Sequence, residues 1–279
     1  MPSPLAGTDT PWLLYVSALM AAGLASGFAG GLFGIGGGIL RVPIFLYLFP
    51  FFGVHPSVVM HMAAGTSLAL AVPTALVSAD RHRREGNLDS AFLRTWIPAL
   101  LAGVLVGTVA ARVAPGHALA GAFAVVLFLV AVEMILAPDD FHLAEHVPTG
   151  PGRWVLASAI GGLSTLLGLS GGAFTTPILV TCRYPMHRAI AVSAASATMI
   201  AVLGTVGAIV NGADIPGRPA YSVGYVDLQA VVALLPTVAV TAPLGVRVAA
   251  RLDAARLRRV FGVFLAFVAT DMASRFLWG

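Results

Sequence analysis

The chain has 279 residues, 58% of them hydrophobic and only 10% charged, with a mean hydropathy of +0.91. A soluble domain carries about 25% charged residues, so this composition excludes an ordinary soluble fold and indicates an integral membrane protein. The net charge of +4 rests on arginine alone; the arginines gather in a few short loops, so they read as topology signals and not as a nucleic-acid surface.

Residues 12–33 form an apolar segment longer than the ~7–15 residues of a signal-peptide core, and they are expected to make the first membrane helix. Gly23, Gly27 and Gly31 recur at intervals of four, the pattern that lets membrane helices pack closely. The run Gly34-Ile35-Gly36-Gly37-Gly38 follows. Each glycine costs a helix about 1 kcal/mol relative to alanine, so the run predicts a break. A shorter apolar piece, 39–53, carries Arg41 near its start and Pro43 two residues later. Beyond a turn at Gly53–Pro56, a helix over 57–79 contains His61, Ala64-Gly65-Thr66-Ser67 and Pro73. Residues 80–87 read as a charged loop, 91–111 and 118–137 as two more helices, and 138–152 as a linker.

The second half repeats this order. Residues 153–168 and 173–182 flank Gly168-Leu169-Ser170-Gly171-Gly172, and Gly34-x-Gly-Gly-Gly-x4-Pro43 overlays Gly168-x-Ser-Gly-Gly-x4-Pro177. A helix over 188–210 places Thr198 on Thr66; after a polar loop over 211–224, helices 226–248 and 256–277 complete the chain. Gly224-Tyr225-Val226-Asp227 matches Gly86-Asn87-Leu88-Asp89, and Asp271 falls on Glu133. The fold predicted is therefore all-α and polytopic, with repeats over 1–137 and 153–279 joined by 138–152. Each repeat has about five helical segments, two of them a glycine-broken pair. The first copy has Arg81, Arg83 and Arg84 before its fourth segment, where the second has Arg218. In the next loop the first copy has Arg112, but the second has Arg247, Arg251, Arg256, Arg258 and Arg259. Arginine-rich loops stay in the cytoplasm, so the repeats are expected to be inverted, with 80–90 and 247–259 inside and the N-terminus outside.

Unpaired backbone at membrane depth survives only where it is buried in protein or lines a wet cavity, and paired breaks point to a transport site. A helix starting there presents free N–H groups and about half a positive charge, which suits an anion. The expected substrate-binding residues are Gly36, Gly37, Gly38 and Arg41 at the first break, and Ser170, Gly171, Gly172 and Thr175 at the second. Thr66, Ser67 and Thr198 are expected to add hydroxyl donors, with Thr176 a further one. The plainer alternatives are helix packing for the glycines, intrahelical bonds for the hydroxyls and an interfacial, snorkelling position for Arg41. His61, Glu133 and Asp271 are the candidates for proton coupling, against capping and interfacial roles. Cys182 reads as a small apolar residue. No metal site, cofactor or enzymatic motif such as His-Glu-x-x-His or Gly-x-Ser-x-Gly is expected.

Gly27-x3-Gly31-x2-Gly34-Ile35-Gly36-Gly37-Gly38-x4-Pro43, Ala64-Gly65-Thr66-Ser67, the Arg-His-Arg-Arg-x-Gly loop and their second-half copies resemble the TauE/SafE family of sulfite and organosulfonate exporters. Ser170 in place of Gly36, and Met199 in place of Ser67, make the two half-sites chemically unequal. The resemblance implies secondary export of a small sulfur-containing or organic anion from a bacterial cytoplasm across the inner membrane, by alternating access and with proton coupling left open. The alternative is an anion channel on the same scaffold. The partners expected are the anion and the lipid bilayer, with no nucleic acid; a homo-oligomer is left open.

Overall fold

The computed structural model describes residues 10–33, 37–136, 144–219, 221–249, 251–252 and 254–278. Within them lie the helices α1 (Thr10–Phe33), α2 (Gly38–Phe51), α3 (Pro56–Arg84), α4 (Ser90–Val113) and α5 (Gly116–Leu136). The second half supplies α6 (Pro151–Leu167), α7 (Gly172–Thr181), α8 (Met186–Asn211), α9 (Leu228–Ala249) and α10 (Ala254–Trp278). Six of these, α1, α3, α4, α5, α8 and α9, are long and apolar enough to cross a membrane; α2 and α7 are short apolar pieces. The chain is thus an all-α polytopic membrane protein.

Two local departures from the sequence pattern have clear causes. Helix α3 continues to Arg84, through residues expected to form a loop. There Asp80 pairs with Arg83 at 2.8 Å and with Arg84 at 2.7 Å, and Arg81 pairs with Glu85 at 2.8 Å. The spacings are i,i+3 and i,i+4, and four basic side chains in the last turn favour the negative end of the helix dipole. Hydropathy falls at Asp80, but the helix does not end. The second departure is a small hairpin, β1 (Ser222–Val223) antiparallel to β2 (Val226–Asp227), so that α9 begins only at Leu228.

Glycine stripes set the helix pairing. Along α1, Gly23 faces Leu234 and Thr237, Gly27 faces Val238 and Thr241, and Gly31 faces Ala242, so α1 and α9 run parallel. A methyl carbon at Gly27 would lie 2.8 Å from Val238 Cα, closer than any side chain can stand. Helices α4 and α6 also run parallel, with Gly103 over Ser158 and Gly107 over Gly162. Helices α3 and α8 run antiparallel, since Gly65 meets Ala208 while Gly204 meets Leu68. Helix α5 packs on α10, α2 on α3, and α7 on α8. The pairing is unchanged when α1–α5 are exchanged for α6–α10.

Asp89 shows how a half-buried polar group serves the fold. One carboxylate oxygen accepts the Phe92 N–H at 3.0 Å, capping α4, and the other accepts the Tyr184 hydroxyl at 2.9 Å. The Phe92 N–H, with Tyr184 and Arg188 assisting, holds this carboxyl below its ordinary range. Burial, and then Asp89 itself, pushes the Tyr184 phenol up to about 12. A depressed carboxyl stabilises the fold above its unfolded pKa, and that contribution is lost as pH falls through the folded value. Asp89→Ala is expected to cost about 1 kcal/mol. Asp89→Asn should retain most of the cap while removing the acid-side loss, which thermal melting in detergent along an acid pH series will show.

Candidate anion site

The two breaks are built alike. Gly37 (φ +71) and Gly171 (φ +75) stand in the left-handed region immediately before α2 and α7. No side chain caps either helix; instead the glycine carbonyls accept the N–H groups that follow. Gly37 O takes Leu40 N at 3.2 Å and Arg41 N at 3.0 Å, while Gly171 O takes Phe174 N at 3.1 Å and Thr175 N at 2.9 Å. Arg41 and Thr175 therefore hold equivalent places, one cationic and one hydroxylic. The earliest N–H groups of each helix are left pointing back into the break, as at any helix start. Pro43 and Pro177 each lack an N–H inside the same helices, which frees a carbonyl one turn earlier as well. Gly36, expected at the first break, lies outside the described residues, as do Gly34 and Ile35.

The breaks meet. A methyl carbon at Gly38 would lie 3.5 Å from both Gly168 O and Leu169 Cα. Ser67 Oγ donates to Gly168 O at 2.8 Å, tying the middle of α3 to the start of the second break. Gly168 (φ +74) ends α6 and sits so close to Ala64 that a methyl carbon there would reach 2.8 Å from Ala64 O. Arg41 is 3% exposed, and its guanidinium reaches Ser67 O from Nη1 at 3.5 Å. Arg41, Ser67, Gly38 and Gly168 thus share one buried junction. An arginine so placed is costly, from ~3 to more than 10 kcal/mol at the bilayer centre, which favours a functional reason for keeping it.

Around the second break the interior is rich in hydroxyls. Ser164, Thr165 and Thr175 are buried, and the side-chain oxygen of each has no hydrogen-bond partner among the described residues. An unsatisfied buried hydroxyl costs about 1–3 kcal/mol; two of these end α6 and one opens α7, so the second break is flanked on both sides by donors lacking an acceptor. Ser170, within the break, is also buried, and Ser193 Oγ lies 3.6 Å from where a methyl carbon on Gly172 would stand. Ser164 and Thr165 were not legible as site residues, because single hydroxyls in an apolar helix ordinarily bond their own backbone. Their place in the last turn before a glycine break was the signal available.

A family model for the sulfite exporter TauE/SafE matches residues 19–272. The chain belongs to the TauE/SafE family. A probable membrane transporter protein of Haemophilus influenzae is 32% identical over 263 residues, covering 92% of this chain and 98% of that protein. A probable membrane transporter protein of Methanocaldococcus jannaschii is 27% identical over 266 residues, covering 94% and 96% respectively. No solved structure matches the chain.

The remaining residues singled out in this TauE/SafE chain lie apart from the junction or turn elsewhere. Thr198 Oγ1 donates to Ala194 O at 2.9 Å within its own helix. Thr66 Oγ1 accepts the Asp227 N–H at 3.0 Å. His61 Nε2 lies 3.1 Å from Ala111 O and 3.2 Å from Ala114 O, and its ring stacks on Tyr225. Glu133 pairs with Arg258 at 2.9 Å in a partly exposed setting, and Asp271 accepts from Tyr47 Oη at 2.5 Å. A separate cavity of about 460 Å³ lies between α1, α2 and α10, walled by Ala29, Phe33, Ile39, Pro43 and Phe264 among others. Its walls are apolar apart from Ser26 and Tyr47, and they suit a hydrocarbon chain better than an anion.

Proposed function

We propose that this TauE/SafE membrane transporter is a secondary carrier exporting a small sulfur-containing or organic anion, such as sulfite, sulfoacetate or a related sulfonate, by alternating access. The observation that carries the reading is the meeting of the two helix starts at Gly38 and Gly168, with buried Arg41 on one side and unpartnered hydroxyls on the other. A sulfonate or sulfite presents three oxygens; a guanidinium fork, free N–H groups and hydroxyl donors can meet them together. Catalytic chemistry has no comparable support, and an anion channel on this scaffold is the rival reading.

The repeats are inverted in this reading, and the antiparallel packing of α3 against its counterpart α8 supports it. Because α8 opposes α3 and α9 returns beside it, the C-terminal ends of α3 and α9 fall on one face. Arg81, Arg83 and Arg84 then share that face with Arg247 and Arg251, the cytoplasmic one by the distribution of arginine. Helix α1, parallel to α9, begins on the opposite face, which puts the N-terminus outside the bacterial inner membrane.

The deciding measurement is uptake of sulfite, sulfoacetate and taurine into proteoliposomes, with and without a pH gradient. Saturable flux that accumulates an anion against its gradient supports the carrier; flux that never exceeds equilibration supports the channel. Thr175→Val supplies a further check. Removing an unpartnered buried hydroxyl should leave thermal stability unchanged or raise it by about 1 kcal/mol. Anion transport should fall at least about tenfold, since a hydrogen bond to a charged group is worth about 1.5–3 kcal/mol. Undiminished transport would remove Thr175 from the site.

A further inference from the structure

The apolar cavity between α1, α2 and α10 is a space that the anion site does not use. It encloses about 460 Å³, within the ~300–1,000 Å³ usual for ligand pockets. Helix α10 walls it from Val260 to Val268, about 12 Å at 1.5 Å per residue. Helix α1 lines it from Ala25 to Phe33, and α2 from Ile39 to Tyr47. The rings of Phe33 and Phe261 stack at 3.6 Å, at the end nearest the start of α10. The cavity also reaches the outer surface of the helix bundle, since Val260 is 68% exposed and Phe264 46%. In a membrane protein that surface meets lipid.

The walls decide what fills it. A buried water needs about 2–4 polar partners, and the polar side chains here are engaged within the protein, Ser26 Oγ donating to Gly23 O and Tyr47 Oη to Asp271. A dry void of this size forfeits dispersion contacts along every wall, so an apolar chain is the fitting occupant. Burial alone does not select one, because the surrounding lipid tails are as apolar as the walls. Selection comes from charge. Residues 247–259, from the end of α9 into α10, carry five arginines against one acid, Asp253. This stretch passes the lower end of the cavity: Gly245 packs on Leu32, beside Phe33, and Arg259 immediately precedes Val260. Arg258 pairs with Glu133, whereas Arg247, Arg251 and Arg259 are exposed. A basic cluster at the end of a gap between membrane helices suits a lipid phosphate.

We propose that this cavity binds one acyl chain of an anionic phospholipid, whose phosphate lies at the arginine-rich connection between α9 and α10. The tail runs along α10 from Val260 toward Val268 and lies against Ile39, Leu40 and Pro43 of α2. Arg41 leaves the same turn of α2 in another direction, toward Ser67 O at the junction. That turn is poorly braced by its own backbone, because Pro43 offers no N–H to the Ile39 carbonyl. A seated tail supplies the bracing, so lipid occupancy and a well-placed Arg41 favour each other. The effect on anion movement rests on the carrier reading above; the lipid site does not.

The test separates the two. Native mass spectrometry of the full chain, released from nanodiscs of equal phosphatidylglycerol and phosphatidylcholine, is expected to show phosphatidylglycerol retained in preference. Ala29→Phe fills the cavity from α1 while leaving every arginine in place, and should remove that lipid. Arg251→Gln with Arg259→Gln leaves the cavity intact and should lower the preference about fivefold for each arginine removed. In wild type, phosphatidylglycerol with a photoactivatable tail should label the chain around Ala29 and Phe264, which keeps the proposal testable if Ala29→Phe fails to assemble. Label spread evenly over the exposed faces of α4 and α5 marks annular lipid only and overturns the site, as does undiminished retention in Ala29→Phe. Dodecanesulfonate that displaces the label and is itself transported gives the cavity to a substrate's tail, and also overturns it. In proteoliposomes, sulfoacetate uptake should rise with phosphatidylglycerol content and lose that dependence in Ala29→Phe; an unaltered dependence overturns the linkage. A retained lipid with no transport of any anion sustains the lipid site and removes the carrier function.

Discussion

Replacing Arg41 is expected to abolish anion transport while leaving the protein assembled. The guanidinium is buried at the junction of the two breaks, with its Nη1 on the Ser67 carbonyl. Two charge-assisted hydrogen bonds to an anion are together worth about 3–6 kcal/mol, so their loss lowers transport at least about a hundredfold. Assembly should survive, because replacing a buried charge with an apolar side chain of similar volume is often neutral or stabilising. Arg41→Met is therefore the sharper variant, and Arg41→Ala the one that also leaves a void. Arg41→Lys keeps the charge but loses the planar fork, and should retain an intermediate rate. Flux in proteoliposomes and elution as a single species in detergent are the two readouts. Wild-type flux in Arg41→Met would mean that the charge serves only packing or topology, and the anion must then be held by backbone and hydroxyls alone.

The helical plan was legible because hydropathy and glycine spacing are local properties. Runs of ~20 apolar residues and glycines at intervals of four specify membrane helices and their close pairing without tertiary information. The breaks were equally plain, since Gly37 and Gly171 must take a left-handed conformation that other residues disfavour. What sequence could not supply is which distant groups share a space. Thr66 and Thr198 align in the duplication, yet one receives the hairpin amide and the other bonds its own helix. Ser164 and Thr165 gain meaning only once α6 is seen to end at the junction. Asp227 matches Asp89 in the repeat, but its burial depends on a hairpin that the first copy lacks. Where α3 runs past the fall in hydropathy at Asp80, short-range ion pairs extended a helix that composition alone would have stopped.

Gly168→Ala is expected to have the largest structural effect of any single methyl group added at the junction. Its φ of +74 places an alanine in the left-handed region, at about 1–2 kcal/mol. The added carbon would also overlap Ala64 Cα and lie 2.8 Å from Ala64 O, so α3 and the second break must separate. Separation loosens the Ser67–Gly168 hydrogen bond and uncovers Gly38, so the total should exceed about 3 kcal/mol, in line with other overpacked cores. Gly53→Ala isolates the backbone part: φ is +83 there, but nothing lies within 4 Å of the new methyl group. It should melt only slightly below wild type. Gly38→Ala carries neither part, since its methyl carbon would make ordinary contacts at 3.5 Å with Gly168 O and Leu169 Cα. That variant should fold normally but transport poorly if, as proposed, the anion approaches the first turn of α2. Thermal melting and flux measured on all three variants distinguish strain, overlap and obstruction. If Gly168→Ala melts like Gly53→Ala, α3 is not held against the second break, and the Ser67–Gly168 tie that closes the junction loses its physical basis.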